Sequence, residues 1–212
     1  MAVLDLQEQE QLDTLKTWWK DNANWVLGSV LVVVVVMGGW RGWQYYQHKQ
    51  TAEAATLYQQ FIEQLASNDA RRVNDAAAAV MDKYAATPYA SRAALIAAQV
   101  NESGKEPLRA KTQLQWVIEH ASEDGLKSVA GLRMASMLLD EKDYAGALKL
   151  LDARHAATFD ALYADLKGDV LNAQGKPGDA RAAYQQAFDK LDAKSGYRNL
   201  VQMKLDAFGA SK

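Results

Sequence analysis

The sequence predicts an all-α protein, in which one N-terminal transmembrane helix is followed by a solenoid of helical hairpins and a C-terminal capping helix. Three observations lead to this fold class. An uncharged apolar run occupies residues 25–40. The chain beyond residue 51 is rich in Ala, Leu, Gln, Glu, Lys and Asp and shows no sustained alternation of apolar and polar residues. Small and large residues also recur at a fixed spacing near the C-terminus, which is typical of stacked hairpins.

The apolar run is long enough for one membrane crossing. It reads WVLGSVLVVVVVMGGW, and its extension to Trp43 gives 19 positions, of which only Arg41 is charged. A crossing needs about 20 mostly apolar residues, and an arginine near the helix end can reach the headgroups. We therefore predict a short N-terminal segment over residues 1–24 and a transmembrane helix over 25–46. Aromatic residues flank the run, as at two membrane interfaces: Trp18, Trp19 and Trp25 before it, and Trp40, Trp43, Tyr45 and Tyr46 after it.

The flanks of this run fit neither a cleaved signal peptide nor a lipoprotein anchor. A signal peptide begins with basic residues and ends in a small-x-small site, whereas the first 24 residues hold five acidic and two basic side chains. A lipoprotein anchor requires an acylated cysteine, and the chain has no cysteine. That absence also excludes disulfides and thiolate-bound metal centres. Charge does not orient the helix, because Lys16 and Lys20 on one flank balance Arg41 and Lys49 on the other.

Residues 51–88 show the periodicity of two amphipathic helices. The link at residues 67–69, Ser-Asn-Asp, offers good helix N-caps, and Pro88 marks a break before the next helix. We therefore predict a helical hairpin, whose first helix begins near Ala54 or continues from the transmembrane helix. The apolar residues at helical spacing are Leu57, Tyr58, Phe61, Ile62 and Leu65, followed by Val73, Ala76, Ala77, Val80 and Met81.

The clearest internal repeat lies between residues 164 and 187. Small and large residues stand at offsets 0, 3, 7, 12, 16 and 19, and they are Gly168, Leu171, Gly175, Ala180, Tyr184 and Ala187. This is the pattern of a tetratricopeptide repeat, in which small residues let the two helices of a hairpin approach closely. Four of these positions recur 33 residues earlier, close to the repeat length of about 34, at Ala135, Leu138, Ala147 and Leu151.

From these patterns we predict a repeat domain over residues 47–212. It should contain four hairpins, at about 51–88, 89–122, 125–157 and 159–192. A final helix over residues 197–208 is expected to cap the last hairpin, because a terminal repeat leaves an apolar face that needs a cover. We expect Leu200, Met203 and Leu205 on the buried side of that helix.

These features together resemble the bacterial YfgM family. The resemblance implies a fold of tetratricopeptide-like hairpins and an ancillary subunit of the SecYEG translocon in the inner membrane. It also implies a cytoplasmic N-terminus and a periplasmic repeat domain that links the translocon to periplasmic chaperones. The alternative is a membrane-tethered scaffold for another envelope complex, with the repeats in either compartment. Besides the acidic N-terminus and the final repeat, the residues that carry the resemblance are Lys16, Trp18, Trp19, Asn22, Gly39, Trp40, Arg41 and Trp43.

The residues do not favour catalysis, and we expect no enzyme activity, cofactor, metal site or small-molecule substrate. His48, His120 and His155 lie far apart and form no recognisable metal-binding motif. The chain has no glycine-rich phosphate loop and no nucleophile motif. Its net charge of -2 argues against a nucleic-acid partner, which would require a basic face.

Protein binding is therefore the function that we expect. Stacked hairpins bind partners on a wall that their first helices form. The inward positions of the repeat pattern predict a wall with an acidic C-terminal end and an apolar middle. We expect no lysine-rich clamp for a C-terminal carboxylate on it, and the sequence leaves homo-oligomerisation open. The predicted wall residues are Arg92, Gln99, Glu102, Leu132, Ser136, Leu139, Asp165, Asp169 and Asn172.

The membrane segment offers two further candidate contacts. Gly38 and Gly42 stand four residues apart, which would let another helix approach closely near the end of the crossing. Before the crossing, Leu12, Leu15 and Trp19 form a short apolar stripe that could lie along the headgroups. We expect both features to position the anchor, and the glycine pair to be a candidate contact with another membrane protein.

Overall fold

The computed structural model describes residues 6–67 and 69–208, with side chains from residue 11 onward. Within these ranges the chain forms α-helices, one 3₁₀ turn (Ala157–Phe159) and loops, without a strand. The predicted all-α fold class is confirmed. Residues 1–5 of the predicted N-terminal segment and the predicted N-cap Asn68 lie outside the described residues. The helices are α1 (Leu6–Leu65), α2 (Ala70–Lys83), α3 (Pro88–Ser103), α4 (Pro107–His120), α5 (Asp124–Asp140), α6 (Tyr144–Leu151), α7 (Asp160–Ala173), α8 (Pro177–Lys190) and α9 (Tyr197–Ala207).

The chain divides into two compact units, residues 1–49 and residues 50–212. The described part of the first unit belongs to α1. Among the described residues, α1 is the one helix long and apolar enough to cross a membrane. The large apolar side chains of α1 between Trp25 and Trp43 are mostly exposed, with 81% of Trp25 and 65% of Val35 uncovered by protein. An apolar surface of this length needs lipid or another protein around it.

Four hydrophobic cores follow one another along the described part of the second unit, and three consecutive helices share each core. The two helices of a hairpin and the first helix of the next hairpin enclose the first three cores, and α9 closes the fourth. Buried alanines dominate these contacts, so the helix backbones approach closely. Representative residues, in core order, are Phe61, Val80 and Ala97; Ala98, Leu114 and Ala130; Ala135, Leu151 and Val170; and Leu171, Tyr184 and Val201.

The turn inside a hairpin has the same conformation in three successive repeats. Lys105, Lys142 and Gly175 all adopt the left-handed region, with φ of 59°, 63° and 75°. Each stands two residues before the next helix, which begins with Pro107 and Pro177 in two of the three cases. Proline at the first helical position supplies a suitable φ and lacks an N–H that would have no partner there. A glycine occupies the left-handed position in the last repeat alone.

Helix α9 packs on the last hairpin, but its predicted buried side needs correction. Leu205 is buried, as expected, together with Val201. Leu200 and Met203 are instead 41% and 62% exposed. Positions 201 and 205 are four residues apart and share one helix face, whereas residues 200, 203 and 205 cannot lie on a single narrow stripe. Tyr197, four residues before Val201, and Phe208, three residues after Leu205, extend the face and pack against this core.

Candidate partner-binding surface

The predicted wall residues lie on α3, α5 and α7, the first helices of three hairpins, and they differ in accessibility. Asp165 is buried, with 3% of its surface exposed. The accessible residues are Gln99, Glu102, Ser136 and Asn172, and the half-buried residues are Arg92, Leu132, Leu139 and Asp169. Their use by a partner stays a prediction, and the accessible members are the ones able to contact a partner without rearrangement.

At the α3 end of the wall, two arginines already have partners between α3 and the α5 region. Arg92 forms an ion pair with Glu123, the residue before α5, at 3.1 Å. Arg133 of α5 donates through Nη1 to the carbonyl of Leu95 at 3.2 Å. Both side chains of the ion pair are more than 40% exposed, so the pair contributes little to stability. The two contacts fix α3 against α5 and leave the α3 end without an unpaired arginine for a carboxylate ligand.

Gln99 borders an open cavity between the end of α1, α2 and α3. The cavity has a volume of about 530 Å³. Its apolar lining includes Leu65, Val73, Ile96 and Val100, and Gln99 stands at its exposed rim. An apolar depression with a polar amide at its edge can accept a side chain from an extended or helical partner segment.

The apolar middle of the wall is partly used by the fold itself. Leu132 and Leu139 of α5 pack against the core that α5, α6 and α7 share, and they are half-buried. Ser136 lies between them in the sequence and is exposed. The two leucines therefore combine a structural contact with a partly accessible apolar surface.

The acidic end of the wall is occupied by the chain itself. Lys204 of α9 places its Nζ 2.8 Å from Asp165 Oδ2 and 2.7 Å from Asp169 Oδ1. The hydroxyl of Tyr197 donates to Asp165 Oδ2 at 2.6 Å, and the hydroxyl of Tyr184 donates to Asp169 Oδ1 at 2.8 Å. Two carboxylates, one ammonium group and two phenols thus form one network between α7, α8 and α9.

The two tyrosines of this network remain protonated donors across the physiological range. Burial raises the pKa of the Tyr184 hydroxyl far above its ordinary value, and the carboxylate of Asp169 adds to the rise. Burial also raises the pKa of the Tyr197 hydroxyl, with a further contribution from Asp165. Each phenol therefore keeps its proton and donates a hydrogen bond to its carboxylate at physiological pH.

Sequence reasoning did not identify Lys204 and Tyr197 as parts of this site. A signal was present, because Asp165 and Asp169 stand one helical turn apart. Like charges at this spacing repel unless a cation lies between them. The spacing of the two aspartates therefore predicts a basic residue near them. The sequence alone does not show which lysine lies there.

A second polar cluster was also missed, and it joins α2, α3 and α4. The amide groups of Asn74 and Asn101 exchange two hydrogen bonds of 2.8 Å, and Asn101 also donates to Gln113 at 2.7 Å. Gln113 donates in turn to Asn74 at 2.8 Å. Asn101 is buried, so this closed network satisfies its amide and helps to fix the register of the three helices.

The two histidines of the second unit, His120 and His155, lie near helix ends. His120 stacks on Trp116 at the end of α4. His155 stacks on Tyr163 with ring centroids 3.8 Å apart, and its Nε2 lies 3.2 Å from Asp160. The structure describes no group of three or more histidine and carboxylate side chains arranged to hold a metal ion in residues 11–67 and 69–208.

In the first unit, the predicted contact glycines are open on the helix surface. A Cβ atom built on Gly38 or Gly42 would meet no other atom within 4 Å. The same is true of Gly28 and Gly39. Approach of another membrane helix to Gly38 and Gly42 is compatible with this geometry and stays a prediction.

Comparison with known proteins adds relatives that match both units. A family model described as a tetratricopeptide repeat-like domain matches residues 16–210. A protein of Neisseria gonorrhoeae named "Ancillary SecYEG translocon subunit" is 31% identical over 207 residues, which are 95% of this chain and 97% of the relative. Proteins of the same name from Escherichia coli K12 and Haemophilus influenzae are 28% and 26% identical, over 94% and 86% of this chain and 95% and 89% of their own lengths. No solved structure matches the chain.

Proposed function

Because the chain belongs to the family of ancillary SecYEG translocon subunits, as its sequence resemblance predicted, we propose that it is a single-pass inner-membrane protein that associates with the SecYEG translocon. The observation that carries this proposal is the extent of the similarity. The Neisseria relative is matched over 97% of its length, so the apolar helix and the repeat domain are both included. A shared anchor together with a shared binding domain supports a common partner better than a repeat fold alone would.

We propose residues 25–46 as the membrane segment, with residues 1–24 in the cytoplasm and the repeat domain, residues 47–212, in the periplasm. The uncovered apolar side chains between Trp25 and Trp43 support the membrane location. The direction rests on the family resemblance, because the basic residues on the two flanks balance. In this orientation the repeats would meet exported chains, and we propose that they link the translocon to periplasmic chaperones.

The proposed role is binding and involves no catalysis. A stack of helical hairpins presents a continuous surface on which a few residues can carry most of the binding energy. The accessible wall residues offer amide, hydroxyl and carboxylate groups beside partly exposed leucines. Gln99 and Ser136 are the members through which we expect partner contacts to be most easily tested, because both side chains are exposed and neither packs in a core.

The translocon proposal is tested by co-purification from gently solubilised membranes. SecY, SecE and SecG should be enriched with the tagged full chain, and a chain with an unrelated membrane helix of equal length gives the background. Enrichment of a different envelope complex without SecYEG would contradict the proposal and favour the scaffold alternative.

The orientation is tested by cysteine labelling, which the cysteine-free chain allows without background. Ala193→Cys and Thr17→Cys place single thiols at exposed positions in the two units. A membrane-impermeant maleimide, added to cells with a permeabilised outer membrane, should label the first variant and spare the second until lysis. The reverse pattern would place the repeats in the cytoplasm and would refute the link to periplasmic chaperones.

The wall is tested by two exposed substitutions with a matched control. Gln99→Arg and Ser136→Arg should reduce chaperone capture, because each places a bulky charge where a partner is proposed to lie. Ala145→Arg, at an exposed position of α6, is the control and should leave capture unchanged. Equal capture by all three folded variants would exclude this wall as the partner surface and would leave translocon association unaffected.

A further inference from the structure

Among the described residues, one cation of α9, Lys204, meets the two carboxylates of α7. Lys204 lies between Asp165 and Asp169, and all four of its Nζ to oxygen distances are between 2.7 and 3.0 Å. Tyr197 adds its hydrogen bond to Asp165. Lys204 therefore compensates the negative charges of the buried Asp165 and the half-buried Asp169.

The apolar part of the α9 contact is small. The helix has 11 residues, its fully buried residues are Val201 and Leu205, and Tyr197 and Phe208 are half-buried against the same core. Its N-cap, Gly196, supplies no side-chain hydrogen bond. Arg198 ties the beginning of α9 to the end of α8 through the carbonyl of Leu191 at 2.8 Å. An isolated helix of this length is marginal in water, so its helical state depends on these contacts, and we expect α9 to open more easily than α7 and α8.

Opening of α9 has a specific consequence for α7. Asp165 and Asp169 would lose the cation that they share. They stand one helical turn apart, and two like charges at this spacing repel each other, so the opened surface favours the return of a lysine-bearing helix. The surface is selective as well as acidic, because Val201 and Leu205 fill adjoining apolar sites in the last core.

We propose that α9 is an exchangeable cover on a helix-binding site formed by α7 and α8. The partner that fits this site is a cationic amphipathic helix with the contact residues of α9 itself. These are an aromatic hydroxyl, a valine four residues later, a lysine seven later and a leucine eight later, as in Tyr197, Val201, Lys204 and Leu205. The fit of such a helix is shown by α9, which occupies the site in this structure. This inference rests on the proposed use of the repeat domain for protein binding.

The test uses the full chain in detergent and a fluorescent peptide that covers residues 195–208. In the wild-type chain, α9 competes at the high effective concentration of a tethered ligand, so the peptide should bind weakly. Lys204→Met weakens this internal competitor, and the peptide should bind that chain at least about ten times more tightly. The control is a peptide that itself carries Lys204→Met. This peptide should not show the tighter binding to the Lys204→Met chain.

Equal peptide affinity for the two chains, with both folded by circular dichroism, would overturn the proposal and make α9 a permanent cap. Hydrogen exchange of the wild-type chain provides a measurement without any variant. The amides of α9 should exchange at least about a hundred times faster than those of α7, because α9 opens separately. Equal exchange of the two helices would also overturn the proposal. Co-purification with SecYEG is measured independently, so loss of that result would concern only the proposed function.

Discussion

The contact between Gly168 and Tyr184 allows a sharp prediction about the last hairpin. A Cβ atom at Gly168 would lie 2.4 Å from Tyr184 Cε1 and 2.5 Å from Cδ1. The ring is buried, and its hydroxyl is held by Asp169 at 2.8 Å. To restore ordinary contact, the ring of a Gly168→Ala variant must shift by about 1 Å, which overpacks the core and strains this hydrogen bond.

Overpacking of a core costs about 1–3 kcal/mol and a lost hydrogen bond about 1 kcal/mol, whereas alanine gains about 1 kcal/mol in helix propensity over glycine. We therefore expect Gly168→Ala to lower the free energy of unfolding by about 2 kcal/mol, which corresponds to a fall in Tm of roughly 4–8 °C in a domain of this size. Thermal unfolding followed by circular dichroism measures this change.

A control in the same hairpin separates the clash from a general effect of alanine. Gly178 lies in the first turn of α8, and a Cβ built there meets nothing within 4 Å. Gly178→Ala should leave Tm unchanged or slightly raised. In a Tyr184→Leu background, Gly168→Ala should lose most of its cost, because the ring is gone. An unchanged or raised Tm for Gly168→Ala in the wild-type background would refute the packing argument.

Three further predictions concern a turn, an amide network and an ion pair. Lys142→Gly should raise stability by up to about 1 kcal/mol, because its left-handed backbone favours glycine, and Gly175→Ala should lower it by about 1 kcal/mol; equal signs in denaturant unfolding would contradict this reasoning. Asn101→Ala should cost about 2 kcal/mol in the same assay, since its two amide partners lose their bonds, and a neutral result would show that water replaces it. The hydrogen bond from Lys190 holds the pKa of Asp160 below its usual value, so this carboxylate stabilises the fold above the unfolded-state pKa of 3.8 and stops doing so as pH falls through the folded-state value. The Tm advantage of wild type over Asp160→Asn should therefore shrink between pH 6 and pH 3, and an advantage that does not change with pH would count against the ion pair.

Periodicity and turn chemistry were sufficient to predict the fold class. The spacing of Gly168, Ala180 and Tyr184 predicted a hairpin with close helix contact, and these residues make that contact. The break at Pro88 was also predicted, and α3 begins at this residue. Proline disfavours helical backbone at the residue before it, so a helix usually ends there and a new one can begin at the proline. Such signals are local in the sequence, so no tertiary information is needed to read them.

The candidate site was less predictable, because its chemistry depends on pairs that are distant in the sequence. The wall residue Asp165 meets Lys204 across 39 positions, and Asn74 meets Gln113 across the same separation. Repeat pattern alone places Asp165 on the wall but cannot say that α9 covers it. The wrong prediction that Leu200 and Met203 are buried has the same origin. A short helix such as α9 has apolar residues on several sides, and the helices packed against it decide which side is buried.

The sharing of each core by three helices determines where the second unit can be divided. Residues 88–151 contain two hairpins, α3 to α6, but enclose only the core between α3 and α5, and they leave α6 without the α7 side of the next core. Residues 88–173, from α3 to α7, enclose two complete cores with only one more helix. A fragment that ends on the first helix of a hairpin should thus fold more readily than one that ends on a complete hairpin, so the natural module of this domain is offset by one helix from its sequence repeat.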